Sequence, residues 1–336
     1  MAANSAERAL LYCAGGGIGD SLVASVVARA LRRRFASVDA LTLPGHAAVL
    51  ERVPDVDRVL TDEGSERDLS AQIAIGRYDA CVVTWATART ARIPQHAAIP
   101  VRVGQARRFY SFRFTKRVVV RSELGDVTSH WSDILLDFAR GIGCDTPDHR
   151  YRFVPTPQDE REAAELSDGV GRFIILNPCN AIASARRLWP LDGWAELARA
   201  LRERYGATVF VSGSSADAPL SAGIVDLSRG QEGIVSIAGR TSIGALGALA
   251  RRAHAFVGIT TGSMHVAAAV GAPTVGVFPF QSDFPDRWAP LGERTAVVRA
   301  SYPCHPGDTK ERCRDYACIA HLDNARILAA LESLVS

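Results

Sequence analysis

The stretch AFVGITTGSMHVAAAVGAPTVGVF, residues 255–278, decides how this chain folds. An apolar run leads into the polar turn Thr260–Ser263, which is followed by an alanine-rich segment and a second apolar run. This order predicts a buried strand, a tight turn, a short helix and another strand. Such a helix points free N–H groups and its positive dipole end at one place. We therefore expect the turn to bind an anion, with His265 one helical turn further on; an ordinary capped turn of a Rossmann-like sheet is the alternative.

A second strand-turn-helix unit opens the chain. Residues 9–13 are apolar, a glycine-rich turn follows, and residues 21–34 have apolar side chains at helical spacing. Glycines at such a turn let the backbone approach a ligand closely. A dinucleotide-binding fingerprint needs Gly or Ala where Asp20 stands, and it also needs an acidic residue at the end of the second strand, which is absent here. We therefore do not expect NAD or FAD.

The carboxylate of Asp20 has two interpretations. An Asp at the mouth of a helix is most often a cap. It would also serve as a general base, and we expect the helix end to keep its pKa low, so that Asp20 is ionised at neutral pH.

Composition limits the class of protein. A chain of 336 residues that is 47% apolar can bury a large core, which suggests two domains. A net charge of +3 is too small to indicate nucleic acid as a partner. No apolar run has the length of a membrane span, no signal-peptide core precedes Ala9, and the seven cysteines form no CxxC pair. We expect a soluble α/β protein of the cytoplasm.

Residues 80–122 carry nine Lys and Arg residues and no Asp or Glu. Aromatic residues interleave with the later ones, and Trp85 follows a predicted strand over 78–84. A solvated basic face is the usual outcome of such a run. Without counter-charges it favours an anionic partner, and an acidic glycolipid, a phosphorylated acceptor and a membrane surface all fit.

A proline-rich segment, residues 151–160, separates two series of strand-turn-helix units. We place the domain boundary there, giving domains 1–155 and 156–336. The amphipathic helix predicted at 326–334 packs either on the second domain or back on the first.

Two motifs resemble glycosyltransferase family 9, the ADP-heptose:lipopolysaccharide heptosyltransferases. The family turn usually reads Asp-Thr-Gly-Pro-Met-His-Leu-Ala, and members also carry Gly-Asp before an apolar helix, as at Gly19 and Asp20. The residues that match the turn are Thr261, Gly262, Met264, His265 and Ala267. Thr260 replaces the family Asp, Ser263 replaces the Pro, and Val26 replaces a Pro six residues after Asp20.

Further matches lie in the second half of the chain. Arg187 stands two residues before Trp189-Pro190, where the family has a basic residue. A guanidinium suits a diphosphate leaving group because it offers paired donors. Asp217 takes the position of a family Glu read as a ribose contact, and residues 239–243 resemble a family turn near the nucleobase.

The resemblance implies an α/β fold of the GT-B type, with two Rossmann-like domains facing a central cleft. Domain 1–155 would hold the acceptor and domain 156–336 the nucleotide-sugar. The implied activity is an inverting, metal-independent transfer of a sugar, a heptose from an ADP donor, to a hydroxyl, with Asp20 taking the proton. The residues expected to bind the donor are Asn180, Ser184, Arg187, Asp217, Thr241, Thr260, Thr261, Gly262, Ser263 and His265. Those expected on the acceptor side are Gly17, Gly19, Trp85, Arg107, Arg108 and Arg113.

Partners and alternatives follow from the same resemblance. We expect a nucleotide-sugar donor, an acceptor that is an anionic glycolipid, a glycan or another hydroxyl compound, and no nucleic acid. Peripheral contact with the inner membrane is compatible with these partners. Cys304, Cys313 and Cys318 offer thiol ligands to a metal, but the family's further Cys is Gly307 here, so we expect reduced structural thiols and no required cofactor. A nucleotide-sugar 2-epimerase and an inactive nucleotide- or glycan-binding relic are the alternative functions.

Overall fold

The computed structural model describes residues 7–178, 189–228, 231–281, 284–305, 307 and 312–336. The chain divides into two compact units, Met1–Val154 and Pro155–Ser336. Each unit is a parallel sheet covered by helices, so the predicted α/β class with two Rossmann-like domains is confirmed.

The first unit contains a six-stranded sheet in the order β3-β2-β1-β4-β5-β6, and every neighbouring pair is parallel. The strands are β1 Arg8–Cys13, β2 Ser37–Thr42, β3 Arg58–Thr61, β4 Ala80–Val83, β5 Val101–Gln105 and β6 Lys116–Val118. The central strand β1 is buried along almost its whole length, which is the pattern of a sheet covered on both faces.

Helices connect these strands. They are α1 Ile18–Arg32, α2 Ala47–Leu50, α3 Glu66–Ile75, α4 Ala88–His96 and α5 Trp131–Arg140. Helices α1 and α5 pack against each other, and α3 and α4 form a second pair. Leu69, Ile73 and Ile93 from that pair join Leu10 and Tyr12 of β1 in one core cluster.

The second unit repeats the architecture, with a sheet in the order β12-β11-β10-β7-β8-β9. Its strands are β7 Phe173–Asn177, β8 Thr208–Val211, β9 Ile234–Ser236, β10 Ala255–Ile259, β11 Thr274–Phe278 and β12 Thr295–Arg299. All of the pairings are parallel. The strand, turn, helix and strand predicted from residues 255–278 are therefore present as β10, a helix and β11.

The helices of the second unit are α6 Pro157–Leu166, α7 Leu191–Tyr205, α8 Ala218–Leu227, α9 Ile243–Arg252, α10 Gly262–Ala269, α11 Pro285–Trp288, α12 Ala317–Ala320 and α13 Asn324–Val335. Trp194, Leu197 and Leu201 of α7 are buried, as their spacing predicts. The C-terminal helix α13 packs on β12, β11 and α7, and its Ile327 and Leu331 belong to that core. It thus packs on the sheet of the second unit.

Among the described residues, no helix is long and apolar enough to cross a membrane.

Candidate active site

Each sheet has one point where the strand order reverses direction. In the first unit this point lies between β1 and β4, and in the second unit between β7 and β10. Loops on opposite sides of such a point diverge, which leaves a crevice at the carboxyl ends of the strands where open α/β sheets bind ligands. Asp20 follows β1, and the turn Thr260–Ser263 follows β10, so both predicted motifs lie at these points.

Asp20 is the third residue of α1, which begins three residues earlier than the sequence predicts. Its Oδ2 accepts a hydrogen bond of 2.6 Å from the backbone N–H of Gly17, the N-cap residue. Gly16 has a φ of +70°, and a Cβ there would lie 2.3 Å from Oδ2. The capping role is therefore real, and the glycine turn closes tightly around the carboxylate.

The pKa of Asp20 is raised, which corrects the expectation that the helix end keeps it low. Burial is the main cause, because it penalises the charged form; the Gly17 N–H and the charge of His46 act in the opposite direction. The pKa of His46 is itself lowered by burial, and its Nδ1 lies 3.1 Å from Oγ of Ser21. A carboxyl group with a raised pKa is a stronger base once ionised.

Tyr151 is a neighbour of Asp20 that the sequence analysis did not identify as part of the site. It is buried, and its pKa is raised well above the ordinary value, first by burial and then by the negative charge of Asp20. Nothing in the local sequence pattern signals this electrostatic interaction, because Tyr151 lies at the far end of the first unit in sequence.

Trp85 joins this site from the other side of the reversal point. It follows β4, and a Cβ on Gly15 would lie 2.6 Å from Cβ of Trp85. The structure therefore brings Trp85 together with the glycine turn that ends at Gly17, and Gly19 follows in the first turn of α1.

The basic run is partly neutralised, because four of its nine cations form ion pairs with described acidic residues, and this corrects its interpretation as charges without counter-charges. Asp62, whose side chain is 6% exposed, binds Arg89 and accepts a 2.5 Å hydrogen bond from the hydroxyl of Tyr12. The other ion pairs join Arg92 to Glu66, Arg108 to Glu123, and Arg121 to Asp126, Asp133 and Asp137. Of the three arginines predicted on the acceptor side, Arg108 alone forms an ion pair with a described residue. Arg107 is exposed, and Arg113 donates a hydrogen bond to Gln95.

The turn before α10 is the second part of the candidate site. Thr261 is the N-cap residue of α10 in an extended conformation, and no side chain caps this helix within the described chain. The first N–H groups of a helix have no partner inside it, so this end is open to an anion. His265 is 4% exposed, so any ligand contact is limited to a small part of its ring.

Asn177 holds this turn to the sheet. It ends β7 and is buried; its Nδ2 donates to Oγ of Ser212 at 2.9 Å, and its Oδ1 accepts from Oγ1 of Thr261 at 3.4 Å. Asn177 is not among the donor residues predicted from the sequence. Its signal is a polar amide at the end of the apolar strand FIILN, where a side chain meets the ligand edge.

Two further predicted donor residues lie on neighbouring loops of the same edge. Asp217 follows β8, and its Oδ2 accepts a 2.9 Å hydrogen bond from the N–H of Ser214, so it closes its own turn. Thr241 follows β9, in a turn that is joined to the β8 loop by a 2.9 Å bond from Gly239 N–H to the Gly213 carbonyl. Asn180, Ser184 and Arg187 lie outside the described residues.

The three C-terminal cysteines differ in burial. Cys304 is exposed, Cys313 is half-buried, and Cys318 is buried with a raised pKa, caused first by burial. Within the described ranges, no group of three His, Cys, Asp or Glu side chains is arranged to hold a metal ion.

Comparison with known proteins points to one family. The model of "Glycosyltransferase family 9 (heptosyltransferase)" matches residues 67–317. The chain is 25% identical to lipopolysaccharide heptosyltransferase 2 of Salmonella typhimurium, across 95% of this chain and 96% of that protein.

Solved structures agree in fold. The ADP-heptose LPS heptosyltransferase II of E. coli superposes with a TM-score of 0.79 and 22% identity, covering 97% of this chain and 98% of that one. A family 9 glycosyltransferase from Veillonella parvula superposes with a TM-score of 0.80 and 17% identity, covering 98% and 97%.

Proposed function

The chain belongs to glycosyltransferase family 9, the heptosyltransferase family, and we propose that it transfers a heptose from ADP-heptose to a hydroxyl group of an anionic glycolipid or glycan. The donor comes from the relatives: the similar E. coli protein is named for ADP-heptose, and the similar Salmonella protein for lipopolysaccharide. The acceptor class is consistent with Arg107 and Arg113, whose guanidinium groups are not used in ion pairs among the described residues.

The donor diphosphate would bind at the N-terminus of α10. The helix dipole and the free N–H groups attract an anion there, and the hydroxyls of Thr260 and Ser263 add further donors, while the Thr261 hydroxyl donates to Asn177. Asn177 fixes this turn from behind through Thr261. Asp217 and Thr241, on the loops after β8 and β9, would contact the nucleoside. Asn180, Ser184 and Arg187 would complete the donor site.

The reaction is a single displacement at the anomeric carbon. Asp20 removes the proton of the acceptor hydroxyl, and the oxygen forms a bond to that carbon as the bond to the diphosphate oxygen breaks. The electron pair leaves on the diphosphate, where the α10 turn and Arg187 stabilise the negative charge. Attack from the face opposite the leaving group inverts the anomeric configuration. We propose that these donors replace a divalent metal, so that EDTA leaves the rate unchanged.

The observation that carries this proposal is the environment of Asp20. Burial raises its pKa, while the Gly17 N–H holds its Oδ2 in place, so that one carboxylate is both positioned and basic. Gly17, Gly19 and Trp85 shape the adjoining edge, where we place the acceptor.

A panel of ADP-, GDP- and UDP-sugars tests the proposal. Thermal stabilisation of the protein identifies the nucleotide, because a ligand that binds only the folded state raises its melting temperature. Release of ADP from ADP-heptose then identifies transfer or slow hydrolysis. A sugar converted to its 2-epimer without ADP release would indicate an epimerase, and binding without turnover would indicate a relic; either result contradicts the proposal. Because Thr260 replaces the family Asp, we expect less discrimination among sugars that share ADP.

A further inference from the structure

The turn at residues 107–113, called the aromatic turn below, exposes two large apolar rings. Phe109 is 81% exposed and Phe112 is 66% exposed. Single exposed apolar side chains are common on proteins, but large ones that are exposed together mark an interaction surface.

The fold holds these rings outward by anchoring the residues between them. Tyr110 is buried and its hydroxyl donates to the Ala86 carbonyl, and Ser111 Oγ donates to the Gln105 carbonyl at 2.7 Å. Phe109 packs edge-on against Tyr110, with ring centroids 5.2 Å apart. The exposure of Phe109 and Phe112 is therefore a fixed feature of the turn.

Two arginines that form no ion pair with a described residue belong to the same turn. Arg107 is exposed and forms no ion pair with a described residue, and the guanidinium of Arg113 lies 4.8 Å from the ring centre of Phe112. The nearest acidic residue along the chain, Glu123, is already paired with Arg108. The aromatic turn therefore combines exposed apolar rings with positive charge. Residues 80–122 contain no Asp or Glu that could oppose that charge.

We infer that the aromatic turn docks onto an anionic lipid bilayer. Aromatic rings favour the level of the headgroups, where an apolar body and a polar surrounding are both satisfied, and arginines beside them attract anionic lipid. Two rings on one short turn supply much less area than the about 800 Å² per partner that a stable protein interface buries. The inference rests on the proposed function only for its purpose, which is to bring a glycolipid acceptor to the enzyme.

The docked edge would be the one that carries Asp20. Tyr110 reaches Ala86, which is adjacent to Trp85, and Trp85 contacts the glycine turn before α1. Membrane contact at the aromatic turn would therefore present the proposed acceptor side of the first unit to the bilayer.

Co-sedimentation with vesicles tests this inference. The wild-type chain should bind vesicles of phosphatidylcholine with phosphatidylglycerol, bind phosphatidylcholine alone much more weakly, and be released by salt. The double variant Phe109→Ser/Phe112→Ser should lose about tenfold or more in binding to the anionic vesicles. The matched control is Ile75→Ser, which removes an apolar side chain that is 83% exposed at the end of α3, just before β4 begins and thus at the opposite edge of the sheet.

Three results of the vesicle experiment would overturn the inference. They are no vesicle binding by the wild type, equal binding by the double variant, and an equal loss in Ile75→Ser. A wild-type dimer that the double variant converts to a monomer would also overturn it, because the rings would then belong to a protein interface. ADP binding, measured by calorimetry without vesicles, should be unchanged in the double variant, so failure of docking is distinguishable from failure of the proposed function.

Discussion

Asp20 closes the first turn of its own helix with the same carboxylate that we propose as the base. These roles are compatible because the cap uses one oxygen, Oδ2, and leaves Oδ1 for the acceptor proton. The N–H of Gly17 fixes the direction of the carboxylate, and burial adjusts its basicity.

The pH dependence of the reaction should report this environment. A base acts only when ionised, so kcat/KM should fall as the pH drops through the pKa of Asp20, and because burial raises that pKa the acid limb should lie above 3.8. The charge of His46 lowers the pKa of Asp20, so His46→Gln should move the limb to higher pH. His96→Gln, which removes a histidine beside Glu66 instead, should leave the profile in place. A limb that does not move in His46→Gln would place its titration elsewhere.

At the scale of elements, the glycine turn before α1 must fit closely around Asp20. Gly16→Ala introduces a Cβ 2.3 Å from Oδ2 and should displace the carboxylate, with a loss of about tenfold to a hundredfold in kcat/KM. Gly64→Ala is the matched control: its φ of +76° brings a similar backbone cost of about 1–2 kcal/mol, but a Cβ there meets nothing within 4 Å. Equal activity in the two variants, after correction for stability, would show that the fit around Asp20 is unimportant.

The donor turn depends in the same way on hydrogen bonds to β7 and β8. Ser212→Ala leaves Nδ2 of Asn177 without its 2.9 Å partner, which should loosen the contact with Thr261 and weaken ADP binding by roughly fivefold to tenfold. Ser221→Ala is the control, because Ser221 is equally buried and donates to the Val211 carbonyl, away from Thr261. Both variants should lose about 1 kcal/mol of stability, and calorimetry with ADP should separate them. An identical affinity in both would remove Asn177 from the donor site.

Across the whole molecule, the sequence alone predicts those structural features that depend on residues close together in the chain. The apolar runs and the turn at 255–278 predict β10, α10 and β11, because hydrophobic period and turn chemistry are local. Contacts between distant residues were not predictable in this way. Arg89 meets Asp62, 27 positions earlier, and this pairing depends on the order of β3, β1 and β4 in the sheet.

The same limit applies to the candidate site. Its turns were found from sequence because glycine, threonine and aspartate stand out after apolar strands. The direction of the pKa shift of Asp20 was not predictable from the sequence, because burial by the surrounding fold outweighs the nearby N–H groups. Tyr151 and Asn177 were missed for a related reason: a tyrosine in a loop and an asparagine at a strand end acquire a role only through what packs beside them.

We propose that this family 9 enzyme uses Asp20 as its base, and the rate of ADP release from ADP-heptose by Asp20→Asn is the measurement that decides this. In Asp20→Asn the amide oxygen can still accept a hydrogen bond from the Gly17 N–H, so the helix cap is kept while the base is lost. The matched control is Asp159→Asn, which makes the same change at the third residue of α6, where Oδ2 accepts from the Thr156 N–H at 2.7 Å. We predict that Asp20→Asn lowers the rate of ADP release by about 10²–10⁴ with ADP affinity nearly unchanged, and that Asp159→Asn retains the wild-type rate. Wild-type activity in a folded Asp20→Asn variant would show that Asp20 is not the base.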